Sequence, residues 1–344
     1  MMSLDFRSDT FTLPTQEMRE AMFNSELGDD VFCEDPTVNR LEDLAAEVTG
    51  KERALFVSSG TMGNLIALMT HCNRGEEVFL GDQSHIFYYE QGGISSIAGL
   101  IPRTLKNQSD GTISIDDFYY AVRTPDIHYP KTGLICLENT HNRCNGMPLE
   151  LDYHKIVSDF AKEQNLKIHL DGARLFNAAH AINKPVNEIL EFVDTAMLCL
   201  SKGLASPVGS ILVGTSDFIE KARRIRKLLG GGMRQAGVLA ACGVVSLEKI
   251  SKLLKYDNER AYRLAEELNR IDGLNVDMER VRTNIFYMNI DEKHGDAKSF
   301  CEKLSDRGVH ILDIGKQKVR FVTHYMISDK DINCAIDAVK EIIE

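Results

Sequence analysis

Short apolar runs alternate with stretches of helical period along residues 54–229, and that alternation predicts a mostly parallel sheet covered by helices. Strands are expected at 54–57, 78–80, 134–137, 167–170, 195–200 and 210–213, where the apolar run is of the kind a strand buried on both faces requires. Helices are expected at 153–164 and 217–229, the second stopping at Gly230-Gly231-Gly232. Residues 58–64 carry hydroxyls and glycines between the first strand and an apolar helical start at 65–69, which makes a strand-turn-helix unit. From about residue 251 the pattern changes to a long polar helix, a strand at 284–288, a helix, a strand at 319–323 and a terminal helix. The expected organisation is therefore α/β, with a large domain over residues 1–250 and a smaller α+β domain over 251–344.

A chain of 344 residues, 43% hydrophobic and 26% charged, has the balance of an ordinary globular protein with room for two domains. Its formal net charge of −11, with no basic arm, argues against nucleic acid as a partner. The start, Met-Met-Ser-Leu-Asp-Phe-Arg-Ser-Asp-Thr, has charges where a signal peptide would be apolar, so a cytoplasmic location is expected. The longest apolar stretch, 236–247, falls short of the roughly twenty residues that span a bilayer, so no membrane partner is expected. Cysteines 33, 72, 136, 144, 199, 242, 301 and 334 show neither Cys-x-x-Cys nor zinc spacing. They read as free thiols, with no metal site.

The chemistry begins at Lys202, in Leu200-Ser201-Lys202-Gly203, about thirty residues after Asp171-Gly172-Ala173-Arg174. Each tetrapeptide closes an expected strand. Pyridoxal phosphate needs an amine to hold its aldehyde as an imine, and a carboxylate at its ring nitrogen to keep the ring electron-withdrawing. Asp-Gly is also an ordinary turn and Ser-Lys-Gly an ordinary strand end. Their order and their shared place at strand carboxyl ends, where open α/β sheets bind ligands, favour the cofactor. Ser59-Gly60-Thr61 before a helix can cradle a phosphate, although a plain N-cap would need only one of these residues. His85 in Asp82-Gln83-Ser84-His85 follows another strand and can lie flat on an aromatic cofactor. His128 and Glu90 are further candidates for proton transfer or substrate contact. Arg174 and Arg320 suit an amino acid carboxylate, the alternative for both being a surface salt bridge.

Several motifs together resemble the low-specificity L-threonine aldolases, enzymes of pyridoxal phosphate fold type I, over nearly the whole chain. They are Arg7-Ser8-Asp9-Thr10, Gly28-Asp29-Asp30-Val31, Ser59-Gly60-Thr61-Met62-Gly63-Asn64, Ser84-His85-Ile86, Glu138-Asn139-Thr140-His141-Asn142, Asp171-Gly172-Ala173-Arg174, Ser201-Lys202-Gly203-Leu204 and Gly230-Gly231-Gly232-Met233-Arg234-Gln235. The resemblance implies that Lys202 forms the imine, Asp171 pairs with the ring nitrogen, His85 stacks on the ring, and Ser59, Gly60 and Thr61 hold phosphate. It further implies that Ser201 flanks the cofactor, that Ser8, Arg174 and Arg320 grip the substrate carboxylate, and that His85 or His128 takes the β-hydroxyl proton, directly or through water. The implied reaction splits L-threonine or L-allo-threonine into glycine and acetaldehyde; β-elimination, racemisation or a non-catalytic binding role are the alternatives. A homo-oligomer with shared sites, dimer or tetramer, is implied too, with Arg234 crossing between subunits. The family usually has tyrosine and glycine where this chain has Phe32 and Cys33.

Overall fold

The computed structural model describes residues 3–343. Its strands are β1 (Leu4–Asp5), β2 (Arg53–Val57), β3 (Glu77–Gly81), β4 (Ile101–Leu105), β5 (Thr132–Glu138), β6 (Lys167–Asp171) and β7 (Thr195–Cys199), followed by β8 (Ser210–Gly214), β9 (Leu274–Asn275), β10 (Ile285–Ile290), β11 (Val309–His310), β12 (Leu312–Gly315) and β13 (Lys318–Val322). Seven of them form the large sheet in the order β2-β8-β7-β6-β5-β3-β4. Neighbours are parallel except β8, which runs antiparallel to both β2 and β7. Strands β3, β7 and β8 are buried at every position, which is why each reads as an apolar run after its first residue, Glu77, Thr195 or Ser210. Strand β4 escapes that reading: it is an edge strand whose residues are all exposed or half-buried, Ile101 among the exposed, so no apolar run marks it.

Helix Gly237–Glu248 explains the apolar stretch noted above. It packs against helices Gln16–Phe23 and Pro36–Thr49, and nine of its twelve residues are buried. Glycine is needed at 243 because a Cβ there would come within 2.8 Å of Leu41 Cδ2. Among the described residues no helix is long and apolar enough to cross a membrane.

A second, antiparallel sheet runs β12-β13-β10-β9 over its own core, where the Phe286 and Phe321 rings stack at 5.0 Å. Residues 4–6 belong with this core rather than with the large sheet that follows them in sequence. Strand β1 pairs in parallel with β11, and Leu4 and Phe6 are buried in the second core. From Phe6 the chain crosses to the carboxyl ends of the large sheet, where the chemically interesting side chains collect.

Candidate active site

Asp171 ends β6, and Lys202 follows the end of β7, the adjoining strand. Asp171 is buried, its Oδ2 accepting from Asn64 Nδ2 at 2.8 Å and its Oδ1 from the backbone N–H of Ala173 at 3.1 Å. Lys202 is half-buried and its backbone carbonyl accepts from Thr12 Oγ1 at 2.8 Å, while its charge bears on both Asp9 and His85. Small neighbours let these strand ends approach. A Cβ at Gly172 would stand 3.0 Å from the Met197 carbonyl oxygen, and one at Gly203 3.1 Å from Leu254 Cδ2. Ser201 is half-buried, its Oγ 3.5 Å from Cys199 Sγ.

His85 opens a short helix beyond β3, its backbone N–H donating to Glu138 Oε2 at 2.7 Å. Its Nδ1 lies 2.9 Å from Glu90 Oε1 and 4.0 Å from Asp171 Oδ2. Burial works against charge on the ring, but the Glu90 hydrogen bond and the Asp171 charge carry its pKa above the ordinary imidazole value. Burial raises the Glu90 carboxyl in turn, against the hydrogen bond from His85. Glu90 is thus buried with its Oε1 held by Asn64 and His85, and not placed for a substrate contact of its own.

Ser59 caps helix Gly60–His71, its Oγ accepting from the Met62 N–H at 3.2 Å. That helix start follows the carboxyl end of β2, where the helix dipole favours an anion. Ser59 and Thr61 are exposed there. Gly63 seats the helix: a Cβ at that position would sit 2.7 Å from Met197 Cγ on β7.

Neither arginine makes the surface salt bridge that sequence allowed. Arg174 is buried and two-pronged on buried Asp9, Nε to Oδ2 and Nη2 to Oδ1 at 2.7 Å each, leaving Nη1 toward Asn142. Burial would raise the Asp9 carboxyl, yet Arg174 and then Lys202 hold it well below the usual range. Arg320 donates to Asn142 Oδ1 at 3.2 Å and to the Arg7 carbonyl at 2.9 Å, and its buried Nε has no partner. Burial, and then the like charge of Arg174, pull its pKa below the usual guanidinium range. A half-buried cation with a buried, unpartnered Nε and no carboxylate partner among the described residues fits an anionic ligand. Ser8 stands nearby, its Oγ accepting from Thr10.

Two candidates lie apart from this cluster. His128 precedes β5, so it is at the amino end of a seven-residue strand whose carboxyl end holds Glu138. At about 3.3 Å per residue that is roughly 20 Å of sheet away. Its side chain is exposed and paired with Asp126 at 2.5 Å, which excludes it as the base for this chain's own site. Arg234 is exposed and paired with Asp29 at 2.9 Å. Conversely, Asp9, Asn64 and Asn142 are central. All three stood inside quoted motifs, and the signal missed was a buried amide or acid beside a strand end.

The comparisons agree with this geometry. The family described as "Beta-eliminating lyase" matches residues 5–291. A "Probable low-specificity L-threonine aldolase 2" of Arabidopsis thaliana is 49% identical over 99% of this chain and 97% of its own. The "Low specificity L-threonine aldolase" of Escherichia coli (strain K12) is 41% identical over 96% of each. The chain belongs to the low-specificity L-threonine aldolase family. A threonine aldolase structure from Leishmania major superimposes with a TM-score of 0.85 at 20% identity, covering 99% of this chain and 100% of that one, which places the fold in type I of the pyridoxal phosphate enzymes. Pyridoxal 5′-phosphate is the cofactor of this family, and the residues present fit it. A lysine and a buried aspartate stand at adjoining strand ends, an imidazole lies beside the aspartate, and a helix start is open to a phosphate.

Proposed function

We propose that this protein cleaves the Cα–Cβ bond of L-threonine and L-allo-threonine, giving glycine and acetaldehyde. The observation that carries the reading is the meeting of Lys202 and Asp171 at adjoining strand ends with a half-buried Arg320 whose Nε is buried without a partner. Bound pyridoxal phosphate supplies a sink for the electrons of the breaking bond. Lys202 provides the amine that holds the cofactor and yields it to the substrate's amino group. Asp171 would meet the ring nitrogen and keep it protonated; Ser59, Gly60 and Thr61 would receive the phosphate; Ser201 flanks Lys202. Arg320 provides the main grip on the substrate carboxylate, since Asp9 already occupies one edge of Arg174, whose Nη1 joins Ser8 in completing the contact. His85 has its Nδ1 fixed by Glu90, which leaves Nε2 to take the β-hydroxyl proton, directly or through water.

The exposed positions of Arg234 and His128 suit an assembly of copies in which they reach a neighbour's site. We read the assembly as a dimer or a tetramer of dimers, and the eight free cysteines as belonging to a reducing cytoplasm. Incubating the holoenzyme with threonine and allo-threonine side by side, with acetaldehyde and 2-oxobutanoate both measured, tests the reaction: acetaldehyde is expected, and 2-oxobutanoate alone would establish elimination instead. Lys202→Ala should lose the cofactor's visible band and turnover together while its circular dichroism is unchanged. Wild-type turnover in that variant would sink the assignment.

A further inference from the structure

Behind Asp171 lies a line of buried polar side chains that the reaction does not touch. Asn64 Nδ2 is 2.8 Å from Asp171 Oδ2 and 2.8 Å from Glu90 Oε1. Asn64 Oδ1 is 3.1 Å from His169 Nε2, and His169 Nδ1 is 2.9 Å from Thr195 Oγ1, which is 2.9 Å from His71 Nε2. Asn64 and His169 are fully buried and Thr195 nearly so, while the His71 ring stacks on Phe218 at 4.7 Å.

Elementary donor and acceptor rules give this line one direction. Carboxylates accept, so the Asn64 group facing Asp171 and Glu90 is the amide NH2 and the group facing His169 is the oxygen. His169 Nε2 must therefore carry a hydrogen. Burial holds the His169 pKa down to about 3, so the ring is neutral and its Nδ1 accepts from the Thr195 hydroxyl. That leaves the Thr195 oxygen to accept from His71 Nε2–H, on a ring that burial likewise keeps neutral, with a pKa of about 4. Each buried group in the line is satisfied only when every other is turned the same way. A reversed Asn64 amide would set its oxygen against two carboxylates.

We propose that His169 is a positioning residue that acts through Asn64, fixing the amide so that one N–H holds the Asp171 carboxylate toward the place of the cofactor's ring nitrogen while the other holds Glu90. Thr195 and His71 set the tautomer of His169. The inference rests on Asp171 meeting that nitrogen. It separates Asn64 and His169 from ordinary core residues, because their loss should change the electronic state of the cofactor and not stability alone.

The test reconstitutes the holoenzyme with pyridoxal phosphate labelled with 15N in the ring, and reads two signals at matched occupancy: the 15N shift of the ring nitrogen and the pH midpoint of the visible band. His169→Phe removes the N–H and should move the 15N signal toward the unprotonated form and raise the midpoint by about one unit, since a less electron-poor ring makes the bound nitrogen more basic. His169→Gln can present an N–H to Asn64 and should return both signals toward wild type. If His169→Phe does not fold, Thr195→Val, which deletes a hydroxyl at nearly constant shape, replaces it, with Thr195→Ser as the rescue. Wild-type signals in the folded variant, even with a lowered melting temperature, overturn the proposal. No visible band in the wild-type enzyme would instead sink the placing of the cofactor at Lys202 and Asp171, so the two failures are told apart.

Discussion

Asn142 Oδ1 lies 3.2 Å from one arginine and 3.5 Å from another, and the two differ in what else they hold. Arg174 is already matched by Asp9, whereas Arg320 has a buried Nε with no partner. Arg320→Lys keeps the charge but not the planar fork, so KM for threonine should rise about tenfold or more, with kcat less affected. Steady-state kinetics decide it, and an unchanged KM would remove Arg320 from the carboxylate site. Cys33 sits at φ 59°, in the left-handed region, at the position where the family usually has glycine. Cys33→Gly should therefore stabilise the protein by about 0.5–1 kcal/mol in thermal or urea unfolding. Asp257 is buried with an unpartnered Oδ2, and burial pushes its pKa from 3.8 up to about 8, against Arg260. The folded state thus binds a proton that the unfolded chain releases near pH 4, so stability falls as pH rises from about 4 to about 8. Asp257→Asn should flatten that part of the stability curve and raise stability at pH 8 by about 1–3 kcal/mol. At this scale Lys202, Asp171 and His85 were legible because each follows an apolar run. Asn64 and His169 were not: their bond joins residues 105 apart in sequence, a distance no local pattern reports.

Helix Gly60–His71 shows how an element carries the site. Its amino end is useful to a phosphate only if the helix lies flat against β7, and Gly63 is where it does so, over Met197. Gly63→Ala would drive a methyl group into Met197 and tilt the first turn. The expected result is about 1–3 kcal/mol of lost stability together with faster loss of cofactor on dialysis. Retention of cofactor at the wild-type rate would mean that the cradle does not depend on this contact. The strands that hold the site were readable for a related reason: they are central, buried at every position and mostly apolar, with Glu77 and Thr195 only at their first positions. Edge strand β4 pairs on one side only and keeps polar and exposed residues, so the chain gives no sign of it.

At the scale of the molecule, the alternation of strands and helices announces the large sheet, and the change of pattern near residue 251 announces a second unit. What the pattern cannot convey is that residues 4–6 belong to that second unit, because pairing between Leu4 and Val309 leaves no trace in local composition. Assembly is open to a direct test. Lys202→Ala chains mixed with Arg234→Ala chains, after dissociation and reassembly, should recover activity, since a hybrid with shared sites contains one site with both native residues. No recovery would confine Arg234 to its own chain, where it pairs with Asp29.

The opening residues run as a strap from one unit to the other. Leu4 and Asp5 are fastened to β11, Phe6 is buried in the second core, and within the next six residues Asp9 grips Arg174 and Thr12 holds the carbonyl of Lys202. A strap anchored at both ends is a mechanical linkage: any rotation of the second unit toward the sheet would pull on the loop that carries Lys202. Cutting it should uncouple the two. Removing residues 1–7, none of them a reacting group, should therefore depress turnover well beyond the change in thermal stability, with the first fastening gone and Asp9 left on a free end.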